Sequence, residues 1–140
     1  CSRKTPRYRC QDCMVPDLFC QDCCVRAHLQ HPLDRIERWD STQFKRVTLK
    51  SMGLRVQLGH SSADRCAAPI AGHKTFTVIH TNEIHDVAVN FCGCREESFV
   101  GSCRQQLMRW SWYPATHKEP QTCSTLVCLE AFLMFHFKLK

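Results

Sequence analysis

Three pairs of soft side chains crowd the start of this chain. Cys10 and Cys13, Cys20 and Cys23, and His28 and His31 all fall within 22 residues, each pair separated by two others. That spacing lets a tight turn aim both members of a pair at one point, which is how a short segment grips a tetrahedral metal ion. Thiolate and imidazole are the donors zinc favours, so zinc is the expected ion. Three pairs cannot all serve one four-coordinate ion. Either one ion takes two pairs, or two ions are held in a crossed arrangement whose fourth pair is incomplete. Cys1, nine residues before Cys10, is what remains of that fourth pair. With a single ion, a crossed scheme selects Cys10, Cys13, His28 and His31. Cys20 and Cys23 then await partners, and Cys24 is a spare thiol beside Cys23.

The run Cys20-x2-Cys23-x4-His28-x2-His31 also has the spacing of a finger of treble-clef or B-box type. Twelve cysteines in 140 residues would suit a disulfide scaffold, but such a scaffold has no need of histidines at ligand spacing. No charged segment followed by an apolar one marks a secretory leader. A metal-free finger of about 30 residues has too little apolar surface to fold unaided, whereas zinc contributes roughly 10–16 kcal/mol.

Length allows a small finger followed by a compact unit of about 100 residues. Charge divides along the same line. Residues 1–60 hold 11 Lys or Arg against 6 Asp or Glu, while residues 61–140 hold 8 against 7. Arg3, Lys4, Arg7, Arg9, Arg26, Arg35 and Arg38 are therefore candidate phosphate contacts, with a solvated basic face as the alternative.

Beyond His31 the ligand spacing stops and ordinary fold signals begin. A helical turn is expected near Val47–Met52, stopped by Gly53. Alternation or β-branched content predicts strands at Leu54–Leu58, Thr75–His80 and Ile84–Phe91, and a fourth at Gln106–Tyr113. From Thr122 as N-cap, Cys123–Lys140 carries no Gly or Pro and reads as a buried helix. Glu130 interrupts its apolar run, which is too short to span a membrane. So apolar a helix expects further protein to cover it, and the chain is expected to continue beyond both Cys1 and Lys140.

His60, Cys66, His80, His85, Cys92 and Cys94 form a second reservoir of donors. Cys92-Gly93-Cys94 is tighter than the common knuckle, but Gly93 lets the backbone turn; Cys66 and His85 complete one candidate set of four for a further zinc ion. The alternative is that these cysteines pack as small hydrophobes.

Several runs resemble a known family: Tyr8-Arg9-Cys10-Gln11-Asp12-Cys13, Pro32 to Trp39, Gly53-Leu54-Arg55-Val56-Gln57-Leu58-Gly59-His60, Phe91-Cys92-Gly93-Cys94 and Trp112-Tyr113-Pro114-Ala115-Thr116. They are similar to the CxC-like cysteine cluster, type 2, associated with KDZ transposases of fungi. The resemblance implies a nuclear, transposon-derived protein in which the cluster precedes a catalytic region. No matching acidic constellation stands in these 140 residues, so the chain itself is not expected to be an enzyme. In the family pattern another Cys or His pair precedes the first finger; here Cys1 alone stands for it, because position 4 is Lys4.

The expected fold is α+β: a zinc-binding cluster over residues 1–40, a mainly antiparallel β region over 41–120 with the second metal site, and the start of a helical region over 121–140. The expected function is that of a zinc-binding module helping a KDZ transposase-type protein engage DNA or chromatin, with no membrane and no small-molecule substrate. Two alternatives stay open. A B-box-like finger serves protein–protein assembly, or the chain is a fragment of a transposase whose catalytic domain lies downstream.

Overall fold

A computed structural model describes residues 4–60, 65–94 and 100–138. Cys1 and Arg3 fall outside the described residues. The architecture is α+β, and the chain divides into two compact units, Cys1–Arg55 and Val56–Lys140.

The first unit is built on a three-stranded antiparallel sheet in the order β1 (Tyr8–Cys10), β2 (Ile36–Trp39) and β3 (Phe44–Val47). Helix α1 (Gln21–Ala27) lies between β1 and β2 in the chain. The β2–β3 hairpin turns at Asp40, whose carboxylate accepts from the Thr42 hydroxyl at 2.7 Å, Gln43 N–H at 2.9 Å and Thr42 N–H at 3.0 Å. Those bonds replace the backbone partners a turn would lack and allow Ser41 its left-handed φ of 86°. Lys45 also pairs with Asp40, and together these contacts hold its carboxyl well below the usual range. The register sets Cys10 opposite Ile36, and Ile36 opposite Val47. Ile36, wholly buried, is therefore the apolar floor beside the first thiol. Past β3, Met52 N–H reaches the carbonyls of Thr48 and Leu49, and Gly53 ends that turn at φ +97°.

The second unit carries two sheets. One has the order β4 (Val56–Gln57), β8 (Val89–Cys92), β5 (Pro69–Ala71); the other runs β7 (Ile84–Asp86), β6 (Thr77–Ile79), β10 (Thr122–Thr125), β9 (Trp112–Pro114). Not all pairs are antiparallel: β4 runs parallel to β8, and β6 parallel to β10. The expected single strand at Ile84–Phe91 is two strands, because the chain changes sheets at Val87–Ala88. Val87 N–H bonds Phe76 O in the first direction, and Ala88 O accepts from Val56 N–H in the other. Phe76, Val78, Leu58, Leu107 and Cys123 are fully buried and make up the core of this unit.

Three sequence expectations change here: one strand, the start of the last helix, and that helix's burial. Residues 106–113 do not form one strand; helix α2 (Cys103–Arg109) is followed by β9. A capping box starts the helix: Gln105 N–H bonds Ser102 Oγ at 3.3 Å while Ser102 N–H bonds Gln105 Oε1 at 2.7 Å. That reciprocal pair outweighs the apparent alternation around Leu107. The C-terminal helix begins later than Cys123. Thr122–Thr125 is drawn into the sheet because partners stand on both sides, β6 and β9, and α3 (Leu126–Lys138) follows. None of its described residues is buried; Phe132, Phe135 and Phe137 are exposed. Among the described residues, no helix is long and apolar enough to cross a membrane.

The capping box makes Ser102→Ala a simple test of α2. Losing the cap should destabilise the protein by about 1 kcal/mol, read as a lower urea midpoint with unchanged slope. An unchanged midpoint would remove the capping account.

Candidate metal centres

In the first unit, Cys10 closes β1 and the chain turns back through Gln11 and Asp12 to Cys13. The N–H groups of Asp12 and Cys13 point at Cys10 Sγ, at 3.3 and 3.2 Å. Such donors stabilise a thiolate where it forms. A bidentate clip then fixes the turn: Asp12 accepts from Arg35 N–H at 2.6 Å and from its guanidinium at 2.8 Å. The same contacts hold the Asp12 carboxyl below its usual range, with the Arg35 side chain the leading cause. His28 caps the C-terminus of α1 and is buried to 1% exposure. Its Nδ1 lies 2.7 Å from Cys24 O, which can only accept, so Nδ1 carries the proton and Nε2 presents a lone pair. Nε2 sits 3.4 Å from Cys13 Sγ and 3.6 Å from Asp34 Oδ2; Cys10 Sγ is also 3.6 Å from Asp34 Oδ2. Cys10, Cys13, His28 and Asp34 thus bring one donor atom each within 4.8 Å of one another, an arrangement able to hold a metal ion.

In the second unit the donors are His60, Cys66, Cys92 and Cys94, again within 4.8 Å. Strand β8 organises them. Its last residue is Cys92, its parallel neighbour β4 exits through Leu58 and Gly59 into His60, and its antiparallel neighbour β5 is preceded by Cys66. Leu58 N–H to Asn90 O and Gly93 N–H to Ala68 O, both 2.8 Å, carry the pairing past the strand ends. His60 Nε2 then lies 3.0 Å from Cys92 Sγ and 3.6 Å from Cys94 Sγ, while Cys66 and Cys94 sulfurs are 3.8 Å apart. Gln106 of α2, buried, braces the end of β8. Its Oε1 accepts from Cys92 N–H at 2.8 Å, and its Nε2 donates to Cys92 O at 3.0 Å and Gly101 O at 3.1 Å. Gly59 has φ +80°, and a Cβ there would stand 2.6 Å from Cys92 Cβ, so only glycine admits the approach of His60. Gly93 has no left-handed φ; a Cβ there would press on Ala68 O at 3.1 Å and push the exposed Ile70 side chain aside.

Electrostatics shows the strain of packing these groups together. Burial, then the neighbouring Cys13 thiol, pushes Cys10 up to about 12. Burial likewise raises Cys92 to about 11, whereas His60 first, then Cys92 and the Ala68 N–H, bring Cys94 down to about 6. Several thiols at one point cannot all ionise without a cation among them.

The sequence-predicted donors divide accordingly. Cys10, Cys13 and His28 converge, as do Cys66, Cys92 and Cys94. Cys20 is the N-cap residue of α1 and Cys23 lies in its first turn; neither joins a group of converging donors among the described residues. His31 is exposed in the turn after α1. His85 sits on β7, its Nε2 2.8 Å from Asn82 Oδ1, and His60 occupies the corner beside Cys92. Asp34 is not among the sequence-predicted donors; its one sequence signal is a carboxylate three residues past His31. Of the basic residues, Lys4 pairs with Asp22, Arg35 with Asp12, and Arg9 with Glu37 at 2.7 Å while lying over the Phe44 ring. Arg7, Arg26 and Arg38 are exposed.

A family model described as CxC2 like cysteine cluster associated with KDZ transposases matches residues 49–140. The match contains His60, Cys66, Cys92 and Cys94 and leaves Cys10 to Asp34 outside it. No curated protein and no solved structure matches the chain.

Gln106→Leu tests the brace. It strands two buried backbone groups of Cys92 at about 1–3 kcal/mol each. Thermal unfolding should fall accordingly, and metal affinity at the second centre should drop roughly 10–100-fold, as for loss of an outer-shell partner. Unaltered affinity there would show that Gln106 does not position Cys92.

Proposed function

Because the chain belongs to the family of CxC2 like cysteine clusters associated with KDZ transposases, we propose that it is a zinc-stabilised, non-catalytic module that helps a KDZ transposase-type protein engage DNA or chromatin in the nucleus. The carrying observation is the convergence of His60, Cys66, Cys92 and Cys94 inside the matched region. Zinc fits the donors. With Zn–S near 2.3 Å and Zn–N near 2.0–2.1 Å, a tetrahedron has edges of about 3.5–3.8 Å. The Cys66–Cys94 and His60–Cys94 separations of 3.8 and 3.6 Å match them, and the 3.0 Å between His60 and Cys92 needs a small opening. A zinc ion at each centre would supply a crosslink and compensate the thiolates, with no open position for chemistry. In the first unit, such an ion would tie the Cys10–Cys13 turn to His28 at the end of α1 and to Asp34, making a small finger.

DNA engagement rests on the surplus of basic residues in the first unit. Lys4, Arg9 and Arg35 are tied to carboxylates, so Arg7, Arg26 and Arg38 are the groups most available to phosphates. A second reading, assembly with another protein through the finger, is favoured by Met14, Val15 and Leu18, three exposed apolar residues in the loop after the Cys13 turn.

Fluorescence anisotropy with duplex DNA at two salt concentrations separates the readings. Three phosphate contacts predict a log–log salt slope of roughly −3, and replacing Arg7 and Arg38 by Glu should weaken binding and flatten it. No binding at about 50 mM salt would remove the DNA claim and leave assembly.

A further inference from the structure

Two residues compete for the fourth corner of the first centre, His31 and Asp34. Ligand spacing favours the histidine, which stands three residues after His28 as Cys13 stands three after Cys10. The backbone does otherwise. His31 N–H bonds His28 O at 3.1 Å, and His31 O accepts from Asp34 N–H at 3.3 Å, so the chain reverses through buried Pro32 and leaves His31 exposed. Asp34 comes out of that turn facing the thiols. Its Oδ2 is 3.6 Å from Cys10 Sγ, 4.0 Å from Cys13 Sγ and 3.6 Å from His28 Nε2.

We propose that Asp34, and not His31, completes the first metal centre with Cys10, Cys13 and His28. This rests on the reading that the cluster holds zinc. Its position is enforced from the next residue along. Arg35 N–H and guanidinium grip Asp12, in the middle of the Cys10–Cys13 turn, and Arg35 O accepts from Gln11 N–H at 2.9 Å. One residue further, Ile36 is opposite Cys10 in the sheet. The segment carrying Asp34 is therefore stitched to the turn carrying both thiols at two successive residues. Carboxylate oxygen is an accepted zinc donor at about 2.0–2.2 Å. The two centres then differ in kind. The first has two thiolates, an imidazole and a carboxylate; the second has three thiolates and an imidazole. Softer thiolate donors hold soft ions better, so the first centre is the one a thiophilic competitor such as cadmium displaces less readily.

The test uses the full chain, reduced and loaded with cobalt(II), whose thiolate charge-transfer absorption in the near ultraviolet reports how many sulfurs bind. Asp34→Cys adds a sulfur to the first centre and should strengthen that absorption; His31→Cys should leave it unchanged. In zinc titrations, His31→Ala should keep both ions, and Asp34→Ala should weaken one by more than the roughly 10–100-fold typical of losing an outer-shell partner. Stronger absorption in His31→Cys alone, or full zinc affinity in Asp34→Ala, would overturn the assignment. Failure of the unaltered chain to take up cobalt or zinc would instead overturn the reading beneath it.

Discussion

Thiols held too close to ionise together govern this protein. Cys10 meets Cys13, and Cys92 meets Cys66 and Cys94, in surroundings where burial and mutual proximity drive Cys10 and Cys92 far above their ordinary values. Such crowding is unfavourable for protein atoms alone and becomes favourable around a divalent cation, which takes the place of the protons. The secondary structure is correspondingly slight. Strands of two to four residues carry both units, too little paired backbone to hold donors in place by itself. Metal crosslinks at these donor groups would supply the fixing that such short strands lack.

The two centres are built on the same plan from different parts. Each places a cysteine at the last residue of a strand, Cys10 on β1 and Cys92 on β8, with a second cysteine just past it and backbone N–H groups turned onto the first sulfur. A histidine then arrives from another element: His28 from the end of α1, His60 from the exit of β4. What fixes each histidine differs. His28 is oriented by the Cys24 carbonyl, whereas His60 depends on the space that Gly59 leaves beside Cys92.

Much of this could be read from the chain and part of it could not. The pairs Cys10/Cys13 and Cys92/Cys94, and Cys66 as a distant partner, follow from donor type and short spacing, which are local properties. The choice of His60 over His85 does not, because it depends on β4 running parallel to β8 and on β7 belonging to the other sheet. Asp34 was invisible for a related reason: a lone carboxylate is common on any surface, and it takes the Arg35–Asp12 clip and the pairing of Ile36 with Cys10 to bring this one to the thiols. The helix at Cys103–Arg109 was lost to an apparent alternation, although its Ser102 and Gln105 capping pair stood in plain view. For α3 the apolar composition was legible, but its exposure is a property of the fold around it.

Native mass spectrometry of the reduced, zinc-loaded chain tests the central claim most directly. Two zinc ions per chain are expected. Replacing Cys10 and Cys13 by serine should remove one ion, replacing Cys92 and Cys94 should remove the other, and all four replacements together should remove both. A chain that binds no zinc, or in which either double replacement alone abolishes both ions, would contradict two separate centres, each closed by its own strand-end cysteine pair.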